Sequence, residues 1–185
     1  MPREATPGFT LVEVTIAIAV LAVGAGMLAS VSLATARANA AARRADVAQR
    51  AAVEKLEQLR ALSWTSDGGV VPISDWSSNV ATSPQSGTGG TGLGVSPGDT
   101  LVANVAGYSD VLDIDGRWLA AGTTAPLGAA WSRRWSVQAL PAPADTLLLQ
   151  VVVVPIRTDG AAATTTAARS VNGAWLMDVR TRRAR

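Results

Sequence analysis

Residues 8–13 read Gly8-Phe9-Thr10-Leu11-Val12-Glu13, and residues 14–36 follow as VTIAIAVLAVGAGMLASVSLATA, 23 positions without a formal charge. As an α-helix rising about 1.5 Å per residue, the second stretch is roughly 34 Å long, enough to cross a hydrocarbon core of about 30 Å. A cleavable secretory signal has an apolar core of only about 7–15 residues behind a cationic start. Here Glu13 stands at the mouth instead, and only the small residues around Ala36 and Ala40 would suit signal cleavage. The stretch therefore reads as one membrane span.

An acid at the edge of such a span is costly unless something neutralises it. Cutting the chain after Gly8 would create a cation at the same depth, the α-amine of Phe9, four residues or about 6 Å along a helix from Glu13. The free amine of one copy can then neutralise Glu13 of another copy displaced along the helix axis. Such a pair sets register between neighbours.

A short leader ending in Gly8, an aromatic new terminus, an acid at the fifth position after the cut and an apolar span occur here together. In this the chain resembles the type IV pilin-like proteins, over residues 8 to about 36. The resemblance implies cleavage between Gly8 and Phe9 by a membrane prepilin peptidase, which also N-methylates Phe9. It implies assembly through Glu13 with other pilin or pseudopilin subunits, at an inner-membrane assembly platform, from a precursor held in membrane lipid. Pro7 stands where leaders of the family usually carry Lys or Arg. The implied topology is a single pass through the bacterial inner membrane with the C-terminal part outside the cytoplasm. Charge points the other way, because Arg37, Arg43, Arg44 and Arg50 follow the span and only Arg3 precedes it. We take the topology from the resemblance, since dedicated machinery imposes it.

No proline lies between Pro7 and Pro72. Major pilins often carry one late in the span, so its absence favours a minor pilin or pseudopilin. Trp131-Ser132-Arg133-Arg134-Trp135 and the apolar strands after it resemble the PilV-like minor pilins and the I-type pseudopilins. Gly24 and Gly26 interrupt the span, but Gly-x-Gly is not the small-xxx-small spacing of close helix pairs.

Residues 38–62 contain no Gly or Pro, and Ala45, Ala48, Ala52, Leu56, Leu59 and Leu62 recur at helical steps along one face. Arg44, Arg50, Glu54, Lys55 and Glu57 fall mostly elsewhere, where Glu54, Lys55 and Glu57 read as weak solvated pairs. The pattern predicts one helix from about residue 10 to 63, roughly 80 Å long. Residues 83–100, SPQSGTGGTGLGVSPGDT, read as a loop too poor in apolar side chains to fix one conformation. Strands are predicted over residues 101–105, 131–140, 146–156 and 171–179. Trp135, Val137 and Ala139 alternate with Arg134, Ser136 and Gln138, as a sheet with one covered face requires. Residues 147–154 are apolar on both sides, predicting a central strand on the long helix, and residues 141–145 should join two strands antiparallel.

The fold class is thus α+β. Its order is a leader (residues 1–8), an assembly helix (9–36), its amphipathic continuation (37–63), a Gly/Ser/Thr/Pro-rich region (64–100) and a β-sheet head with a basic tail (101–185).

Chemistry is bounded by what the chain lacks. With no Cys and no His, thiol nucleophiles, disulfides, zinc fingers and Ser-His or Cys-His hydrolysis are all excluded. Lys55 is the single Lys, no catalytic constellation is visible, and a net charge of +2 is a weak argument for nucleic acid. Gly87-Thr88-Gly89-Gly90 lacks the Lys and the leading strand of a phosphate loop. Asp110, Asp113 and Asp115 before Gly116 are hard oxygen ligands suited to calcium on a turn, weighed against a plain polar turn before Trp118; no other cofactor is expected. Arg180, Arg182, Arg183 and Arg185 suit DNA phosphates or acidic lipid, weighed against a solvated end. Of the six Trp, Trp135 and Trp175 are expected in the core. The expectation is a non-enzymatic fibre subunit, with a competence-type minor pilin binding DNA at a filament tip as the alternative.

Overall fold

The computed structural model describes residues 8, 10–65, 74–141, 145–156 and 173–182. Its contacts divide the chain into two compact units, Met1–Ala40 and Ala41–Arg185. One helix, α1 (Leu11–Ala61), contributes to both.

In the first unit α1 begins at a Thr-x-x-Glu cap. The Glu13 amide donates to Thr10 Oγ1 at 3.3 Å, and the Val14 amide donates to the Thr10 carbonyl at 3.2 Å. Thr10 Oγ1 thus satisfies a first-turn amide that no helical carbonyl can reach, and Glu13 places negative charge at the positive end of the helix dipole. Further along, the hydroxyls of Thr15, Ser30, Ser32 and Thr35 each donate to a carbonyl three or four residues back. The hydroxyl side chains of the stretch are therefore satisfied inside the helix, as lipid demands. Its large apolar residues are exposed on all sides, from 46% at Val14 to 85% at Leu11. A helix apolar all round is one made for a membrane or a bundle.

In the second unit Ala48, Ala51, Ala52, Leu56 and Leu59 of α1 are buried, nearly as the spacing predicts. They pack on a five-stranded antiparallel sheet of β1 (Ser109–Leu112), β2 (Trp118–Ala121), β3 (Trp131–Leu140), β4 (Thr146–Pro155) and β5 (Ala174–Thr181). The strand order is β2-β1-β3-β4-β5. Small Ala side chains let the helix approach closely, and the larger volume comes from Trp131, Trp135, Val137, Leu147, Leu149, Val151 and Val153. Each such side chain fully buried contributes about 1.5–3 kcal/mol, so this interface is the main source of the unit's stability.

The expected strands over residues 131–140 and 146–156 form, joined antiparallel, with β4 in the sheet interior. Three expectations are corrected. Residues 101–105 are not a strand: the Leu101 and Val102 carbonyls accept hydrogen bonds from Arg134 at 3.3 and 2.7 Å, and Asn104 Oδ1 accepts from Arg134 Nε and Ser132 Oγ, each at 2.7 Å. This segment, with Ser96 Oγ 2.9 Å from Ser136 Oγ, covers the face of β3 opposite the helix, so Ser132, Arg134 and Ser136 are buried rather than solvated. The Gly-rich loop, secondly, does hold a conformation. Leu93 is fully buried in the core, and the Gly90, Gly92 and Leu93 amides donate to the Ser77, Ser78 and Asp75 carbonyls at 2.7–2.9 Å. A Cβ at Gly90 or Gly92 would stand 2.2–2.3 Å from the backbone it crosses, so only glycine admits this contact. Finally, β5 runs Ala174–Thr181 rather than over residues 171–179, of which 171 and 172 lie outside the described residues.

Candidate functional site

Gly8, before the expected cut, is exposed, while Phe9 lies outside the described residues. Glu13 is also exposed, and shares one face of α1 with Val14, Ala17, Ile18 and Leu21. No ion pair of Glu13 occurs among the described residues. A carboxylate rimmed by apolar side chains is costly as soon as a neighbour covers that face, unless the neighbour brings a cation.

The acids singled out for calcium do not converge. Asp110 lies in β1, fully buried, while Asp113 Oδ1 accepts from the amides of Asp115 and Arg117 at 2.9 and 2.8 Å and so closes the β1–β2 turn. Asp115 is exposed on that turn. No group of three or more metal-ligating side chains occurs among the described residues.

The basic tail is likewise divided. Arg180 lies in β5 and donates to the Leu59 and Leu62 carbonyls at 3.1 and 3.0 Å, closing the C-terminal end of α1. Burial lowers its pKa from the ordinary Arg value. Arg182 stacks 3.9 Å from the Trp64 ring centroid, donates to Ser74 Oγ at 3.1 Å, and lies 3.3 Å from Asp145. Two of the four guanidiniums are thus committed within the unit, and Arg183 and Arg185 lie outside the described residues. Among the aromatics, Trp135 is fully buried as expected, Trp131 nearly so, and Trp175 only half-buried, against Val152 and Val154 on the far face of the sheet.

What the sequence reading missed is a buried ionic cluster built on Asp110. Arg133 holds that carboxylate with two parallel bonds of 2.9 Å, and Lys55 Nζ lies 2.9 Å from its Oδ2. Arg133 also donates to the Ala51 carbonyl at 3.0 Å and lies 3.6 Å from the exposed Glu54. Lys55 donates further to the Val80 carbonyl and sits 4.4 Å from the Trp135 ring centroid. All three charged side chains are at most 2% exposed. Burial, with Arg133 beside it, pushes the Lys55 ammonium down to about 8, although Asp110 pulls it up. Lys55 therefore ties the helix to β1 and to the segment at Val80 at once, and is not the solvated residue its neighbours suggest. The one hint in the sequence is that its position falls on the apolar stripe, one step before Leu56 and four before Leu59.

In comparison with known proteins, residues 7–29 match the family model described as the prokaryotic N-terminal methylation motif. No curated protein and no solved structure matches the chain. The match spans the capped start of α1 and most of its fully exposed apolar half. The chain thus carries the N-terminal methylation motif of type IV pilin-like proteins, followed by a pilin-like α+β arrangement of long helix and antiparallel sheet.

Proposed function

We propose that this chain is a minor subunit of a type IV pilus or type II secretion pseudopilus, cut after Gly8, N-methylated at Phe9, and assembled through Glu13 and the apolar half of α1. The single observation that carries the reading is the methylation motif at residues 7–29 running directly into a capped helix, apolar on every side, with one carboxylate. The motif belongs to structural subunits, so the partners are other pilin-like subunits and the processing peptidase, and no enzymatic role is assigned. Before assembly the chain is anchored in the bacterial inner membrane by a single span, with the second unit outside the cytoplasm.

Mass spectrometry of the native N-terminus tests this. The expected terminus is N-methylated Phe9, and Gly8→Val should leave a precursor eight residues longer at the N-terminus. Native protein that still begins at Met1 would overturn the reading. A reporter fused after Arg185 and active only in the cytoplasm would overturn the topology.

A further inference from the structure

Two exposed side chains of the second unit stand on backbone that is pinned on both sides. The first is Trp76, which at 53% exposure is the only exposed one of the six Trp. Its neighbours allow it no slack. The Asp75 amide donates to the Ser63 carbonyl at 2.9 Å, the Asp75 carbonyl accepts from the Leu93 amide at 2.7 Å, and the Ser77 and Ser78 amides donate to Asp75 Oδ1 at 3.0 and 2.9 Å. The second is Asp145, which alone among the described non-glycine residues has a left-handed φ, +60. Asp tolerates that conformation better than most residues, yet the fold must hold it there. The Asp145 carbonyl accepts from Trp64 Nε1 at 3.3 Å and from the Arg182 amide at 3.0 Å, while its side chain stays 57% exposed.

Trp64 and Arg182 join these two tips into one patch. Trp64 meets Trp76 edge to face, with ring centroids 5.9 Å apart and planes at 81°. Arg182 covers a face of Trp64, and its guanidinium reaches both the Asp145 carboxylate and Ser74 Oγ, two residues before Trp76.

The chemistry of the patch selects its ligand. A half-exposed indole offers a flat apolar surface. Beside it the Asp145 carboxylate accepts hydrogen bonds, and a Ser hydroxyl such as that of Ser74 can donate or accept. Charge is already balanced, because Arg182 lies 3.3 Å from Asp145 and repels a second cation. What fits is a neutral molecule with C–H bonds on a flat face and hydroxyls around its rim, which describes a pyranose sugar. Because the backbone on both sides is fixed beforehand, binding loses little conformational freedom. We propose that Trp76 is the stacking platform of a carbohydrate site, with one pyranose ring laid on the indole and hydroxyls of that ring or the next donating to Asp145. The site lies wholly within the second unit and is independent of how residues 8–36 assemble.

Saturation-transfer NMR tests this on the full-length protein in octaethylene glycol dodecyl ether micelles, which carry neither sugar nor ammonium. The protein is irradiated at its aromatic protons with cellobiose, lactose and mannobiose as probes. Saturation should reach the ring C–H protons of at least one of them. With Trp76→Ala that signal should fall by about fivefold or more, whereas Trp76→Phe, which keeps an aromatic face, should retain about half of it. Asp145→Asn keeps a residue that tolerates the left-handed φ and should lower the signal by about threefold. No transfer to any of the probes, or transfer undiminished by both Trp76→Ala and Asp145→Asn, would overturn the site. Transfer to choline stronger than to every sugar would assign the indole pair to a cation and overturn it as well.

Discussion

The two halves of α1 share a backbone geometry and obey opposite rules. Residues 11–36 are apolar all round, exposed, and carry one carboxylate with no ion pair among the described residues. Residues 41–61 are charged on most faces, bury an Ala/Leu stripe, and include one ammonium that is fully buried and fully partnered. Glu13 is an acid with no ion pair among the described residues, while Lys55 is a cation whose acid, Asp110, is already in place. Burial within the subunit is therefore a poor guide to which apolar surface is used. The exposed half carries the methylation motif, and in the proposed function it is the half that assembly or lipid covers.

The largest effect tests the unpaired side of that contrast. Glu13→Val should leave the second unit's melting temperature unchanged and membrane insertion intact, because Glu13 has no ion pair among the described residues. Recovery of the variant in sheared fibres should fall by about a hundredfold or more, the equivalent of about 3 kcal/mol for leaving a buried amine without its counter-charge. Normal recovery would break the comparison, making the carboxylate no more than a helix cap.

Next comes the paired side. Asp110→Asn removes the single buried anion from two buried cations and should destabilise the second unit by about 3–5 kcal/mol, measured by denaturant unfolding of the full chain in detergent. A loss under about 1 kcal/mol, the range of exposed pairs, would mean that water reaches the cluster.

How much of this was legible follows the same division. The span and the stripe of Ala48, Ala52, Leu56 and Leu59 are local patterns at helical spacing, and β3 and β4 are long enough for alternation and β-branched runs to show. Strands β1 and β2 have four residues each, too few for a period, and β1 carries Asp110 in the core. Lys55 reads as surface because a lone lysine among glutamates usually is; its burial depends on Asp110 and Arg133, which reach it only through tertiary pairing. Leu101 and Val102 looked strand-like from their side chains, yet their carbonyls serve Arg134 instead of a neighbouring strand. Sequence patterns report where side chains go, and these failures all concern backbone or charged groups whose partners are distant along the chain.

Lys55→Met sharpens the contrast by removing the cation while leaving Asp110 and Arg133 balanced. Its cost near neutral pH should be about 1–3 kcal/mol, chiefly the Val80 carbonyl left without a donor, and so less than that of Asp110→Asn. The pH dependence is more diagnostic. Folding holds the ammonium's pKa near 8 against about 10.4 in the unfolded chain, so between those values the unfolded chain binds more protons and stability rises with pH. The wild type should gain about 3 kcal/mol at most across that window relative to Lys55→Met, with no difference in slope below pH 8. Parallel curves from pH 8 upward would show that Lys55 stays charged when buried.

The smallest effect lies at the far end of α1, where Arg60 meets Asp178 of β5 at 2.9 Å. The hydrogen bond from Arg60 holds the Asp178 carboxyl below the usual carboxylate range, against a weaker opposing push from burial. This pair resembles Lys55–Asp110 in chemistry and differs in solvent, because the Arg60 side chain is 40% exposed and also reaches Glu57. Asp178→Asn should therefore cost only about 0.2–1 kcal/mol at neutral pH. A depressed carboxylate stabilises the fold above its unfolded pKa and loses that contribution as pH falls through the folded one, so the difference should vanish in acid. It should also shrink in high salt, which screens exposed charges and hardly touches buried ones. If Asp178→Asn proved as costly as Asp110→Asn and as insensitive to salt, exposure would not be what separates the two pairs, and the contrast drawn along α1 would need another cause.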